Sequence, residues 1–187
     1  MKFDIIEDTC HLIGERNDNG NLMGNFRIWN ERGKLIADHN YNYNGEKHGR
    51  HQDLYDNGNP LKDAYYKHDK LHGRWRVWTH EGVLTTDKTF TENNLHGKCR
   101  VWNHRGDITN ISNYKNGKLH GKTQDWYDNG NLMCEMHFLE GIPHGQCRKW
   151  NSDGKLILNT VKTENESINL MDESIYELHD NEHIHIF

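Results

Sequence analysis

Apolar and polar residues alternate along this chain in short runs separated by glycine. RWRVW (74–78), KCRVW (98–102) and QCRKW (146–150) each close on tryptophan, and the same place holds Trp29, Leu54, Trp78, Trp102, Trp126 and Trp150. A second kind of run follows each, such as VLTTDKTF (83–90) or NLMCEMHF (131–138). It opens near Leu35, Leu84, Ile108, Leu132 or Leu156 and ends on Tyr41, Tyr66, Phe90, Tyr114 or Phe138. Alternation at period two is the signature of a half-buried strand, because successive side chains point to opposite faces. Each pair of runs predicts a β-hairpin in which the tryptophan faces the leucine six residues later across a four-residue turn. The closing aromatic has the same parity as that leucine, which predicts one continuous stripe of Trp, Leu and Tyr/Phe on a single face.

The glycines fix the period. His-Gly recurs at His48, His72, His96, His120 and His144, each 24 residues after the last, and Gly58, Gly82, Gly106, Gly130 and Gly154 form a second comb at the same spacing. Gly24 and Gly33 add a unit upstream, offset by a single extra residue before Gly45, so six units span 20–161. A third position holds Gly20, Gly45, Asp69, Asn93, Gly117 and Gly141, which are the residue types that tolerate left-handed backbone. A turn remade in every unit needs this substitution series, whereas a catalytic or phosphate-binding glycine would be a single specialised site. Gly45, Gly49, Gly73, Gly97, Gly117, Gly121, Gly141 and Gly145 are therefore read as structural turns. The expected fold is all-β: an elongated single-sheet meander, or solenoid, of six hairpin repeats of about 24 residues, twelve strands in all.

On these residues, YKNGKLHGKTQDWYDNGNL (114–132) above all, the chain resembles the variant MORN repeat of YwqK-type antitoxin-like proteins over 20–161. The resemblance implies stacked hairpins in one elongated sheet, a source among bacteria or giant viruses, and a toxin-neutralising partner. Departures are Leu54 for tryptophan, Pro60 inside repeat two, and Lys162 for the last aromatic.

The ends read differently. Residues 1–19 carry Phe3, Ile5, Leu12 and Ile13 and are expected to supply a capping strand for the exposed edge. In 162–187, Thr163 and Glu166 have capping-box spacing, and Ile168, Met171, Ile175 and Leu178 recur every three or four residues, which predicts a short amphipathic helix. The alternative is a solvated acidic tail ending in EHIHIF.

Composition narrows the architecture further. Only 33% of residues are apolar and the mean hydropathy is -1.06, too little for a two-sided core but suited to a one-layer sheet. Cys10, Cys99, Cys134 and Cys147 lack CxxC spacing and MKFDIIEDT lacks a signal peptide's basic start, which together predict free thiols and a cytoplasmic location. The alternatives are a peripheral membrane location or, for a giant-virus source, the virus particle.

Net charge is -5 overall, yet the acidic ends leave the repeats at +4. Arg27, Arg50, Arg74, Arg76, Lys98, Arg100, Lys122 and Arg148 alternate with the tryptophans. They form either a ladder for an anionic partner or long stems that cover an aromatic stripe; the second reading is the simpler. Of the fifteen histidines, the His-Gly column cannot share a metal between repeats, because equivalent residues two strands apart lie roughly 9–10 Å from each other while zinc ligands must reach about 2.0–2.1 Å. His179 with His183, or His183 with His185, could chelate adventitiously but lack a third ligand at motif spacing, so no metal is expected. No catalytic signature is present, so neither an enzyme nor a cofactor is expected. The leading function is a scaffold binding a protein partner along a sheet face. An anionic-lipid binder is the alternative, and nucleic acid is not expected. Candidate contact residues are Phe26, His51 and Trp75, at the position that varies between repeats and is expected to point to the face opposite the tryptophans, together with Arg76, Arg100 and Arg148.

Overall fold

The computed structural model describes residues 1–7, 9–163 and 166–171, and these form one open antiparallel sheet of seventeen strands without a helix. The strands are β1 (Lys2–Glu7), β2 (Cys10–Arg16), β3 (Leu22–Trp29), β4 (Leu35–Tyr41), β5 (Gly49–Leu54), β6 (Pro60–Lys67), β7 (Lys70–Trp78), β8 (Leu84–Thr91), β9 (Asn94–Leu95), β10 (Gly97–Trp102), β11 (Ile108–Lys115), β12 (Lys118–Leu119), β13 (Gly121–Trp126), β14 (Leu132–Leu139), β15 (Ile142–Trp150), β16 (Leu156–Lys162) and β17 (Ser167–Asn169). Each pairs with its neighbours in sequence, so the sheet is a meander. β9 and β10 are two halves of one line against β8, parted at His96, and β12 and β13 are parted likewise at His120 against β11. These splits, the β1–β2 hairpin and β17 account for the strands beyond the expected twelve.

Within each repeat the expected cross-strand pair is present: Trp29 with Leu35, Trp78 with Leu84, Trp102 with Ile108, Trp126 with Leu132, Trp150 with Leu156, and Leu54 with Pro60. Beside every such pair the register slips. Val77 faces Thr86 while Trp78 faces Leu84, which leaves Thr85 as the extra residue of a β-bulge. The Thr85 and Thr109 hydroxyls donate to the Val77 and Val101 carbonyls at 3.1 and 3.2 Å, so these bulges bring their own hydrogen bond.

The slip overturns the single aromatic stripe. Tyr41 pairs with Gly24 and Leu35 with Trp29, and Gly24 and Trp29 are an odd number of residues apart on one strand. Cross-strand partners share a face and odd neighbours do not. The closing aromatics Tyr41, Tyr66, Phe90, Tyr114 and Phe138 therefore lie on the face opposite the tryptophans, each paired with the glycine of a first strand. The sheet has two aromatic rows, one per face.

The turns divide into two classes. His68–Asp69, Glu92–Asn93, Asn116–Gly117 and Glu140–Gly141 have both residues at positive φ, the geometry of two-residue hairpin turns matched to strand twist. Gly20 and Gly45 (φ 81° and 85°) instead end longer loops, in which the Asn17 and Asn42 side-chain oxygens accept backbone N–H groups at 3.0 Å. The extra residue before Gly45 is accommodated there. Successive turns are tied together: the N–H of Asp69, Asn93, Gly117 and Gly141 donates to the carbonyl of Lys47, Leu71, Leu95 and Leu119 of the preceding unit, at 2.7–3.0 Å.

No second layer covers either face among the described residues. Apart from Asn17 in the loop after β2, the buried side chains run along the sheet's midline, with Ala37, His51, Ala64, Cys99, Ser112, Thr123, Cys134, Cys147 and Thr160 on the face opposite the tryptophans, and Asp63 and Asp87 on the tryptophan face. At the N-terminal edge Phe3 pairs with Gly14, and a Cβ at Gly14 would come within 2.8 Å of both Phe3 and Phe26, which explains the one glycine outside the repeat frame. The expected helix after Val161 is corrected. Thr163 and Glu166 close a tight turn (Thr163 N to Glu166 O 2.9 Å, Glu166 N to Thr163 Oγ1 3.1 Å), and Ile168 then pairs with Val161 in β17. Ile175, Leu178 and EHIHIF lie outside the described residues.

Candidate functional site

The tryptophan face carries a comb and a ladder. Trp29, Trp78, Trp102, Trp126 and Trp150 are half-buried, and two residues before them on the same strands stand Arg27, Arg76, Arg100, Gln124 and Arg148. Alternation puts each of these beside its tryptophan; the Arg76 guanidinium lies 5.1 Å from the Trp78 ring centroid. Gln52 holds the same position beside Leu54 in repeat two.

Acidic residues of the second strands interleave with the bases. Asp63, 1% exposed, accepts from Arg50 Nε at 2.8 Å and from Arg76 at 2.5 Å. Asp87 sits between Arg74 (2.6 and 2.8 Å) and Arg100 (3.6 Å), and Glu135 between Lys122 (2.5 Å) and Arg148 (3.9 Å). Arg27 pairs with Asp38 at 3.2 Å. The hydrogen bonds from Arg74 hold the Asp87 carboxyl below its usual range, and those to Asp63 and Asp87 push the Arg50 and Arg74 guanidinium groups up. Three of the four central rungs thus hold two bases and one carboxylate, while Ile111 takes the carboxylate's place beside Lys98. Counting bases alone missed this column. Its signal was the acid 13 residues after Arg50, Arg74 and Lys122.

The opposite face is less available than its variability suggested. His51 is 2% exposed; its ring bonds the Asn40 carbonyl at 2.6 Å and packs on His39, Tyr41 and Tyr66, so it is not a surface contact as expected. Burial pulls its pKa down to about 4. Cys99, Thr123 and Cys147 in the same row are buried too, and burial pushes the Cys99 thiol up. Phe26 and Trp75 are half-buried, Phe26 between Phe3 and Tyr41, Trp75 against Phe90 with the Lys88 ammonium 5.6 Å away. Beside them Asp53 accepts from His39 and Lys62, both at 2.7 Å, which lowers its pKa to about 2. Phe26, His51 and Trp75 are therefore on one face and Arg76, Arg100 and Arg148 on the other, so the six candidates do not form one surface.

All eight glycines assigned to turns, Gly45, Gly49, Gly73, Gly97, Gly117, Gly121, Gly141 and Gly145, have positive φ. His72 and His120 lie 3.4 and 3.2 Å from Glu92 and Glu140 at the turn edge. Among the described residues no group of three or more His, Cys, Asp or Glu side chains is placed to hold a metal, and no helix is long and apolar enough to cross a membrane. Concavities are shallow, one at Lys2, Phe3 and Asn25 and another at Leu139, Ile142 and His144.

No curated protein matches the chain. Residues 119–140, from His-Gly through Trp126 and Gly130 to Phe138, match the family model of the MORN repeat variant. The other units repeat that glycine and aromatic frame, with departures at Leu54 and Lys162 and one extra residue before Gly45, so the match to this one unit is consistent with a MORN-repeat protein.

Proposed function

We propose that this chain is a binding scaffold that holds a protein partner against an extended sheet face. The observation that carries the reading is the open one-layer sheet: an aromatic row on each face is only half covered by its own neighbours, and among the described residues both faces stand without a second layer. A repeat frame spent on folding, with shallow concavities, supports recognition over catalysis, in keeping with a repeat family that serves as a non-catalytic domain. The carboxylate column weighs against the anionic-lipid alternative, since Asp63, Asp87 and Glu135 each take up about half of the charge that a lipid headgroup would see.

The test is selection of a random peptide library on the immobilised full chain, with sedimentation on phosphatidylserine vesicles in parallel. Enriched peptides competed by soluble chain, with weak vesicle binding at physiological salt, are expected. Absence of enrichment together with tight, salt-sensitive sedimentation would replace this reading with the membrane one.

A further inference from the structure

We propose that the tryptophan face is built for one kind of partner segment: an acidic polyproline II peptide lying across the strands, with an apolar residue, typically proline, at every third position. The proposal rests on the scaffold reading and names its ligand.

The pitch comes first. Trp78, Trp102, Trp126 and Trp150 recur every second strand without interruption, a spacing of about 9.4–9.8 Å. Three residues of polyproline II rise about 9.3 Å and return to the same side of the helix. A side chain at every third position of such a peptide therefore meets one tryptophan after another, with a mismatch under about 1.5 Å over the comb. Seven residues of α-helix rise about 10.5 Å, so a helix falls out of step by about 2–3 Å over the same length. An extended strand turns alternate residues to opposite sides and presents nothing at a three-residue period. Aromatic rings with open slots between them are the usual seat for polyproline II.

The charge has the same period. Arg50–Asp63–Arg76, Arg74–Asp87–Arg100 and Lys122–Glu135–Arg148 each keep one positive charge beyond neutrality, and Lys98, opposite no carboxylate, supplies the fourth. One surplus charge per two-strand step matches one acidic residue per three-residue step. Arg76 also leaves its Nε without an acceptor among the described residues, beside the comb's first tryptophan.

The test uses the full chain and fluorescein-labelled (Pro-Pro-Glu)4 in polarisation titrations, with (Pro-Pro-Lys)4, (Pro-Glu)6 and (dT)12 as comparison probes. The variant Trp102→Leu/Trp126→Leu keeps an apolar comb, since leucine stands at this position in repeat two, and Lys149→Gln changes the opposite face. Circular dichroism confirms that both fold. Saturable binding of (Pro-Pro-Glu)4 is expected, weakened at least tenfold in the double variant, within twofold of wild type in Lys149→Gln, and at least tenfold weaker for the other probes. No saturable binding, equal binding by the double variant or by (Pro-Glu)6, or tighter binding of (dT)12 would overturn the proposal. Peptides still enriched from the random library in that case leave the scaffold standing; their absence would remove both.

Discussion

Replacing Asp63 with asparagine tests the ladder at its most buried point. The carboxylate is 1% exposed, and it accepts 2.8 and 3.3 Å hydrogen bonds from Arg50 and a 2.5 Å bond from Arg76. Breaking a fully buried ion pair from one side costs about 3–5 kcal/mol. Here the arginine side chains remain 47% and 28% exposed, so water recovers part of the loss, and about 2–3 kcal/mol is expected. For a protein of this size that lowers the melting temperature by roughly 5–10 °C, read by circular dichroism at pH 7. Asp38→Asn, which loses a single, half-exposed arginine partner in Arg27 and can keep an amide partner in Asn25, should cost well under half as much. The Asp63→Asn loss should shrink in an Arg76→Gln background, by a coupling of about 1 kcal/mol. Equal losses at Asp38 and Asp63, or no coupling to Arg76, would show that the midline carboxylates do not hold the face together.

His51, whose folded pKa is lowered to about 4, resists protonation that the unfolded chain accepts near 6.5. Its contribution is complete above pH 6.5 and is lost as pH falls toward 4, about 2 kcal/mol between pH 7.5 and pH 5. The difference between wild type and His51→Thr should follow that window in urea titrations, and a difference independent of pH would refute it. At the turns, Asp69 and Asn93 accept the backbone N–H of Lys47 and Leu71 at 2.8 and 2.7 Å, a bond absent at Gly117 and Gly141. Asp69→Gly should therefore cost about 1 kcal/mol by thermal melting despite easing the backbone. A stabilised variant would show that the left-handed angle outweighs the bond. Gly141→Val, at φ 90°, should cost at least about 1 kcal/mol in the same melts, and a neutral result would mean that the turn readily changes shape.

The repeat frame was legible because it is written six times: the Trp-to-Leu pairing and the left-handed positions follow from residue type at fixed spacing. The bulge beside each tryptophan was not. Thr85 and Thr109 are ordinary strand residues, and one extra residue leaves the sequence parity of Leu84 and Phe90 unchanged while moving them to opposite faces. The burial of His51 escaped notice for a related reason, since a variable polar residue reads as solvated until its neighbours' rings are placed around it. Thr163 and Glu166 show the limit of local signals, because the same hydroxyl-to-backbone bond closes a hairpin turn as readily as it caps a helix.

The meander also sets how the molecule bears load. Each strand leans on the strands beside it in sequence, and β1 and β17 lie at opposite ends of the stack. A force drawing those ends apart meets the ladder hydrogen bonds a few at a time, as a zipper does, instead of in shear. Extension should proceed from the ends inward, hairpin by hairpin, each step releasing one 24-residue unit at modest force. A partner bound across several strands would bridge those steps and convert a row of weak links into a single strut.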